Sequence, residues 1–345
     1  MKQRQRPTGP LRVLHVGVGN RGVWPLEKCT PETGFVPTAL CDVRESALRE
    51  ARELTGLPES ACYEHFSDAL ARSGPNIDCI IICAPTIFHV PYASQAVEAG
   101  IPVLVEKGMG PDWKSARALT QITSDRGGKV CVAQNYRYNQ LERTIRRALT
   151  EPAHPGHVGP VHLVSYAQQR VRPLPRTLTY PFASVWDMSC HHFDNLAFWF
   201  GPIASMMAQS WRASWSAYTH DNNTSAHIIF ENKVRGHYIH THDAARASLR
   251  IEIHGERGAL VYDEEAGLTF NERPLEQFGS RPLQPIALEE AHGEADLLRD
   301  FHAYIQSGSE PGVSVRHNLE TMAACEMMVR SINERRECYR KELNA

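Results

Sequence analysis

The stretch between Val13 and Asp42 constrains the fold of this chain more than any other. The apolar run Val13–Val16 leads directly into a glycine-rich turn with the pattern G-x-G-x-x-G, and the next apolar run ends in Asp42, twenty residues beyond the last glycine. A strand, a glycine turn, a helix and a second strand ending in an acid are the parts of a dinucleotide-binding βαβ unit. The alternative is a glycine-rich turn that binds no ligand. The flanking strands and the distance to the acid favour a nucleotide site.

The residues of this turn have separate tasks in such a site. Gly17 permits the tight turn, Gly19 lets the backbone approach a pyrophosphate, and Gly22 lets the helix pack close to the strand. The N-terminus of the helix offers unpaired N–H groups to the anion. Asp42 is placed to bind a ribose diol and favours NAD, because its charge repels a 2′-phosphate, whereas the nearby Arg44 keeps NADP possible. The predicted cofactor contacts of this segment are Gly17, Gly19, Asn20, Arg21, Gly22, Asp42 and Arg44.

Length and composition restrict the class of protein. With 345 residues the chain is long enough for two domains. The net charge of -2 and the pI of about 6.8 give no reason to expect nucleic acid or a membrane surface as a partner. The nine cysteines are scattered without a C-x-x-C pair, so we expect neither a metal site nor a disulfide framework. No signal-like segment follows the basic N-terminus and no apolar run is long enough to span a membrane, so we expect a cytoplasmic protein.

The order of the predicted elements indicates two domains. Over residues 1–137 apolar strand-like runs alternate with helical segments, which predicts an α/β domain with a doubly wound parallel sheet of the Rossmann type. Residues 138–345 are predicted to form an α+β domain, in which strand-like segments follow one another in an antiparallel pattern and one long helix covers residues 184–200. The helical C-terminal segment, about residues 290–334, is expected to pack back on one of the domains.

Glu106 and Lys107 follow the apolar run Val103–Val105. In open α/β sheets, ligands bind in the crevice outside the carboxyl ends of the strands. A lysine there can have its pKa lowered by burial and can then donate or accept a proton. The alternative is an ordinary surface ion pair at a strand end, which the residues alone do not rule out.

A second candidate site lies in the segment from Trp186 to Asp194. Asp187 and His191 are four residues apart and Asp194 is three further on, so a helix would place all three on one face. A carboxylate can orient an imidazole or raise its pKa, which makes a plausible proton-transfer pair. The spacing also resembles a metal site, although a third strong ligand is not evident nearby. The third possibility is a helix N-cap aspartate beside a packed histidine.

Three further groups of residues could contribute to a ligand site. Asn135 and Arg137 close the last strand of the Rossmann-like domain and could line the substrate cleft. Arginines in a proline-containing loop after the strand Val161–Tyr166 could bind a carboxylate or phosphate, although a solvated loop is as plausible; they are Arg170, Arg172 and Arg176. Histidines on one predicted strand suggest sheet-surface or subunit-interface residues more than metal ligands; they are His237, His240 and His242.

Taken together, these motifs resemble the Gfo/Idh/MocA family, named after glucose–fructose oxidoreductase, inositol dehydrogenase and a rhizopine-catabolism protein. The resemblance lies in the order of the motifs along nearly the whole chain. The motifs are the glycine turn with Asp42, Ala84-Pro85-Thr86 with His89, Glu106-Lys107, Asn135-Tyr136-Arg137, the Asp187-to-His191 segment with Asp194, and the closing Arg330-Ser331-Ile332 helix. One departure is Gly108, which stands where the family usually has a proline after the lysine.

The resemblance implies reversible hydride transfer between a nicotinamide and a secondary alcohol of a sugar or cyclitol. It implies that Lys107 contacts the reacting oxygen, that His191 is the general base, and that Asp187 holds the substrate or tunes the pair. It also implies an open, mostly antiparallel C-terminal sheet, which commonly forms the interface of a homodimer or homotetramer. The further cofactor contacts are Ala84, Pro85, Thr86, His89, Glu106 and Asn135. The substrate contacts are Lys107, Arg137, Arg170, Arg172, Trp186, Asp187, His191 and His192.

Two other functions remain open at this point. Some relatives use bound NAD for a transient oxidation during glycoside hydrolysis, a lyase-like route that returns NAD unchanged. A protein that senses nucleotides without catalysis would bind NAD tightly and show no turnover. The presence of Lys107, Asp187 and His191 favours the dehydrogenase over the sensor, because a sensor has no need of proton-transfer groups.

Overall fold

The computed structural model describes residues 9–172, 181–273 and 283–344, and the chain divides into two compact units. Unit 1 comprises Met1–Tyr138 and His292–Met322. Unit 2 comprises Asn139–Ala291 and Ala323–Ala345. The first unit therefore includes a segment from the C-terminal part of the chain.

Unit 1 is built on a parallel sheet. Its strands are β1 (Leu11–Val16), β2 (Phe35–Cys41), β3 (Cys62–Tyr63), β4 (Cys79–Ile82), β5 (Val103–Val105) and β6 (Val130–Val132). They run in the order β3-β2-β1-β4-β5-β6 and every neighbouring pair is parallel. Strands β4, β5 and β6 are buried along their whole length, as expected for parallel strands covered on both faces. The strand order reverses between β1 and β4, where dinucleotides bind in sheets of this type. The predicted Rossmann fold is confirmed.

Five helices connect these strands. They are α1 (Val23–Lys28), α2 (Glu45–Thr55), α3 (Phe66–Ser73), α4 (His89–Glu98) and α5 (Trp113–Arg126). Local chemistry fixes both ends of α5. The Asp112 carboxylate accepts a 2.7 Å hydrogen bond from the Ser115 N–H at the start, and Gly127 ends the helix at φ +60, a conformation that favours glycine.

Unit 2 contains a larger, mostly antiparallel sheet, as predicted. Its strands are β7 (Val161–Val171), β8 (Ile203–Trp211), β9 (Asn223–Phe230), β10 (Arg235–Thr241), β11 (Asp243–Gly255), β12 (Gly258–Asp263), β13 (Gly267–Glu272), β14 (Gln284–Pro285) and β15 (Cys338–Tyr339). The order is β14-β13-β12-β11-β7-β10-β9-β8-β15, and among the described residues only β7 and β10 pair in parallel.

One strand of this sheet extends further than the sequence predicted. We expected a strand over Val161–Tyr166 followed by a loop, but β7 continues to Val171, so Arg170 lies on the strand and Arg172 directly follows it. The loop prediction was wrong for Arg170. The polar residues there continue the strand because β7 is hydrogen-bonded on both sides, to β10 and β11.

Unit 2 also contains α6 (Gln140–Thr150) and α7 (Cys190–Phe200). The long α-helix predicted from residue 184 was wrong in its first part, because Val185–Ser189 form a π-helical turn before α7 begins. A π-turn closes i→i+5 hydrogen bonds and recurs at functional sites. It changes the direction of the side chains that precede α7, among them Asp187. Helix α7 packs on the sheet, with the rings of Phe193 and Tyr238 5.2 Å apart.

Two helices follow the sheet, α8 (Glu294–Ser307) and α9 (Val315–Glu334). Helix α8 contributes Leu297, Leu298 and Phe301 to the same buried core as Leu11 and Phe35 of unit 1. The Phe301 ring stacks on Phe35 at 5.9 Å. Within the described ranges, no helix is both long and apolar enough to cross a bilayer. The cytoplasmic location stays a prediction.

Candidate active site

The glycine turn follows β1, and close packing explains two of its glycines. Gly17 has φ +78, and a Cβ there would lie 2.5 Å from the Ala84 nitrogen after β4. A Cβ on Gly22 would collide with the carbonyl oxygen of Gly17. The turn therefore tolerates no side chain at either position. Helix α1 begins immediately after Gly22, at Val23.

The Asp42 carboxylate holds this turn from the side. It is 9 % exposed, and its two oxygens accept hydrogen bonds from the Val18 N–H at 3.0 Å and the Arg44 N–H at 2.9 Å. The guanidinium of Arg44 also lies 3.4 Å from Asp42 Oδ1 and reaches across to Gly19, where an added Cβ would strike it. The turn is thus surrounded by a buried carboxylate and two arginines, Arg21 and Arg44, and its glycines leave the backbone bare.

Glu106 links the turn to the end of β5. Its side chain is 4 % exposed, and Oε1 accepts hydrogen bonds from Arg21 Nη2 at 2.8 Å and from Trp24 Nε1 at 2.9 Å. Its other oxygen accepts the Lys107 N–H at 2.9 Å. The carboxylate therefore joins the glycine turn, α1 and the backbone of Lys107. The half-buried Lys107 follows β5, and its peptide bond to Gly108 is cis.

His89 connects the segments after β4 and β5. The ring is 1 % exposed, with Nδ1 2.7 Å from the Gly108 carbonyl oxygen and Nε2 2.7 Å from the Ala84 carbonyl oxygen. Burial lowers the pKa of His89 below its usual range. Pro85 and Thr86 lie between β4 and this histidine, in the segment predicted to contact the cofactor.

Asn135 and Arg137 follow β6 and contact the C-terminal part of unit 1. Asn135 Nδ2 donates to Glu294 Oε1 at 3.2 Å, and Arg137 Nη1 donates to the Gly312 carbonyl oxygen at 2.8 Å. The predicted contact of Asn135 with the cofactor and that of Arg137 with the substrate stay predictions.

Asp187 and His191 lie in unit 2 around the start of α7. Asp187 is in the π-turn and is half-buried, whereas His191 is in the first turn of α7 and is 4 % exposed. The prediction of a single α-helix was wrong, because Asp187 lies in the π-turn and His191 in α7. Trp186 is half-buried in the same turn, and Asp194 is buried within α7.

His192, the next residue, belongs to a buried polar chain. Its Nδ1 lies 2.8 Å from Tyr238 Oη, which donates to Ser189 Oγ at 2.8 Å. His192, Tyr238 and Ser189 thus form one chain of hydrogen bonds, in which the two hydroxyl groups can each donate or accept. Burial lowers the pKa of His192 well below its usual range, so the ring is neutral at physiological pH.

His240 and His242 are buried, which the sequence did not predict. Both were expected on the sheet surface, but they are 0 % and 1 % exposed, on the same face of the sheet as Tyr238. His240 packs against the rings of His192 at 5.2 Å and His242 at 4.7 Å. The surface prediction holds only for His237, which points to the opposite face. The alternation His240-x-His242 predicts that both side chains lie on one face of the sheet. It does not show whether that face is buried or exposed.

Arg170 and Arg172 are both half-buried beside these histidines. The Arg172 N–H donates to the His242 carbonyl oxygen at 3.0 Å. Arg176 lies outside the described residues. Within those residues, no group of three or more His, Cys, Asp or Glu side chains is arranged to hold a metal ion.

The residues of unit 1 fit a dinucleotide. Gly17 and Gly22 keep the turn tight, Gly19 leaves bare backbone for a pyrophosphate, and the buried carboxylate of Asp42 lies where a ribose hydroxyl is bound in such folds. Strand order, turn and acid together define a dinucleotide-binding oxidoreductase domain.

Comparison with known proteins identifies the family. The sequence matches the Gfo/Idh/MocA family twice, as "Oxidoreductase family, NAD-binding Rossmann fold" over residues 11–134 and as its "C-terminal alpha/beta domain" over residues 180–339. The chain belongs to this family. It is an oxidoreductase with an NAD-binding Rossmann domain.

Three similar proteins illustrate the relationship. Inositol 2-dehydrogenase of Rhizobium meliloti is 23% identical over 80% of this chain and 84% of its own length. D-apiose dehydrogenase of Paraburkholderia graminis is 24% identical over 89% of this chain and 84% of its own length. The crystal structure of the WlbA dehydrogenase from Bordetella pertussis in complex with NADH and UDP-GlcNAcA shares the fold, with a TM-score of 0.79 and 19% identity over 96% of this chain and 98% of that one.

Proposed function

We propose that the chain oxidises a secondary alcohol of a sugar, a cyclitol or a sugar derivative to a ketone, with NAD as the hydride acceptor. The observation that carries this proposal is its similarity to two dehydrogenases over at least four-fifths of the chain. The names of both describe polyhydroxylated substrates, inositol and apiose.

Each candidate catalytic residue has a separate role in this reaction. When bound, NAD accepts the hydride from the carbon atom that carries the hydroxyl group. His191 takes the hydroxyl proton as general base, and Asp187 orients the substrate or tunes the imidazole. Lys107 donates a hydrogen bond to the reacting oxygen and stabilises the negative charge that develops there. Glu106 keeps the Lys107 backbone in place through the 2.9 Å hydrogen bond from its N–H.

A panel of polyols, sugars and sugar acids, followed by NADH absorbance with NAD and NADP as cofactors, tests this proposal. We expect net NADH formation with at least one polyhydroxylated substrate. Lys107→Ala and His191→Ala should each lower kcat by about a hundredfold or more, with little change in NAD binding. Lys114→Ala, an exposed lysine on α5, is the matched control and should keep full activity.

Other outcomes would assign a different function. Cleavage of a glycoside without net NADH would identify the glycoside hydrolase route. Tight NAD binding without turnover of any substrate would identify a sensor. Near-normal turnover of either variant on the true substrate would remove the assigned residue from the mechanism.

We also propose that the chain forms a homodimer or homotetramer through the outer face of the unit 2 sheet. This face carries the exposed apolar side chains Met207 and Ile239, and His227 and His237 face each other across β9 and β10 with ring centroids 4.7 Å apart. Exposed apolar groups on a sheet face favour association. Light scattering should give a multiple of the 38.7 kDa chain mass, and Ile239→Arg should lower it.

A further inference from the structure

The buried face of the unit 2 sheet carries polar residues at one end. The register places Gln168 of β7, His240 of β10 and Thr224 of β9 beside one another across three strands. His242 follows on the same face and His192 packs on His240 from α7. We call these five residues the polar strip. Each of them is at most 9 % exposed.

Seven side-chain atoms of the polar strip have no hydrogen-bond partner among the residues that the structure describes. They are Gln168 Oε1, Thr224 Oγ1, His192 Nε2 and both ring nitrogens of His240 and of His242. Each unsatisfied buried polar group costs about 1–3 kcal/mol. A face that served only packing would be more stable with apolar side chains, so this composition indicates a polar ligand.

Two arginines and two carboxylates lie around the polar strip. Arg170 and Arg172 continue the face of β7 on which Gln168 lies, and both oppose protonation of His240 and His242. Burial, with these two cations, lowers the pKa of His242 to about 4. Two carboxylates lie near His242, those of Asp187 and Asp243.

The carboxylate of Asp243 is already occupied. It accepts hydrogen bonds from Ser216 Oγ at 2.8 Å, Asn222 Nδ2 at 3.0 Å and Asn223 Nδ2 at 2.9 Å. Asp187 is assigned to the reacting alcohol in the proposed function. A ligand that approaches the strip therefore meets two guanidinium groups, a set of neutral donors and acceptors, and the Asp243 carboxylate, whose oxygens are already hydrogen-bonded.

We propose that the polar strip, together with Arg170 and Arg172, binds an anionic group of the substrate and the hydroxyl groups next to it. Guanidinium groups match the geometry of carboxylate and phosphate oxygens, and neutral imidazole, amide and hydroxyl groups pair with sugar hydroxyls. The inference rests on the proposed function and makes its substrate an acidic sugar or cyclitol derivative.

Equilibrium binding tests this inference without turnover. Calorimetric titration of the NADH-loaded protein compares glucuronate with glucose, galacturonate with galactose, and glucose 6-phosphate with glucose. We expect at least one anionic sugar to bind about tenfold or more tightly than its neutral partner. The preferred member of the panel tells whether the group is a carboxylate or a phosphate.

Two variants locate the binding to the polar strip. Arg172→Gln should weaken binding of the anionic sugar by about tenfold or more and leave the neutral sugar unaffected, because the guanidinium pairs with the anionic group. His242→Phe should weaken binding of both sugars, because the imidazole pairs with hydroxyl groups that both carry. His242→Phe keeps an aromatic ring against His240 and Tyr218 and removes two unsatisfied nitrogens, so the ligand-free protein should melt at the same temperature or higher. His220→Phe, at an exposed histidine of unit 2 outside the strands, is the matched control and should change neither quantity.

The inference and the proposed function fail in different ways. If anionic and neutral sugars bind equally in all pairs, or if His242→Phe lowers the melting temperature without changing the affinity for either sugar, the polar strip is a packing element and the inference is overturned. Net NADH from neutral sugars would then still support the dehydrogenase. A binding preference for the anion without NADH formation from any substrate would instead overturn the proposed function alone.

Discussion

The buried carboxylate of Glu106 offers a sharp test of how unit 1 positions Lys107. In Glu106→Gln, one oxygen of the carboxylate becomes an NH₂ group. If the remaining oxygen faces Arg21 and Trp24, the NH₂ group faces the Lys107 N–H, and two donors oppose each other. The reverse orientation loses both side-chain hydrogen bonds instead. The amide will therefore keep the two hydrogen bonds from Arg21 and Trp24 and lose the hydrogen bond from the Lys107 N–H.

The expected cost follows from these contacts. An unsatisfied buried N–H costs about 1–3 kcal/mol. Loss of the ion pair adds about 0–1 kcal/mol, because the Arg21 side chain is 57% exposed and screened by solvent. We expect Glu106→Gln to lower the free energy of unfolding of unit 1 by about 2–3 kcal/mol. Since a displacement of about 1 Å can cost a hundredfold in rate, kcat should fall by about tenfold or more.

Urea unfolding followed by tryptophan fluorescence measures the stability, and steady-state kinetics on the true substrate measure kcat. Trp24→Phe removes one hydrogen bond to the same carboxylate, so the double variant should cost about 1 kcal/mol less than the sum of the two single changes. Glu98→Gln, an exposed glutamate on α4, should stay within about 0.5 kcal/mol of wild type. If Glu106→Gln behaves like this control in both assays, the carboxylate does not hold Lys107.

Three further predictions concern the cofactor site and the pH dependence of stability. Arg44→Ala should lower kcat/KM for NADP relative to NAD by about tenfold or more, because a guanidinium beside Gly19 can bind a 2′-phosphate; an unchanged ratio would exclude that role. Gly22→Ala should abolish NAD binding in a titration, because its Cβ would collide with the Gly17 carbonyl oxygen, whereas Gly74→Ala, which meets only ordinary contacts at 3.9 Å, should bind normally. Burial raises the pKa of Glu142 from 4.5 in the unfolded chain to about 7 in the folded protein. Between pH 4.5 and 7 the unfolded chain has therefore lost a proton that the folded protein still holds, so the free energy of unfolding falls as pH rises. In Glu142→Gln, the decrease in the free energy of unfolding between pH 4.5 and 7 should be smaller by about 3 kcal/mol, as measured by denaturation at several pH values. An unchanged dependence of that free energy on pH would contradict the raised pKa.

The sequence predicted the fold of unit 1 well because its signals are local. Glycines at fixed spacing, continuous apolar strands and the acid after β2 each depend on neighbouring residues, and all appear in the structure as predicted. The sequence did not indicate strand β8, because Ile203 is the only β-branched residue in Ile203–Trp211 and the others are mainly Ala, Ser, Met and Gln. It is a strand because it pairs with β9 and β15.

The candidate site of unit 2 was predicted less completely. The spacing of Asp187 and His191 identified the segment, but the π-turn has no sequence signature and changes their relation. His240 and His242 are polar, and nothing in their pattern shows that α7 covers their face of the sheet. The extension of β7 through Arg170 depends on two partner strands that lie far away in sequence. In each case the missing information is a tertiary contact.

The two carbonyl oxygens around His89 have a consequence for the Lys107 segment. A neutral imidazole carries one N–H, but Nδ1 and Nε2 each lie 2.7 Å from an acceptor, the Gly108 and the Ala84 carbonyl oxygens. One tautomer secures the segment after β5 and the other secures the segment after β4, and the carbonyl left without a proton faces a lone pair. The tautomer of a single buried ring thus decides which of the two strand ends is held by a hydrogen bond.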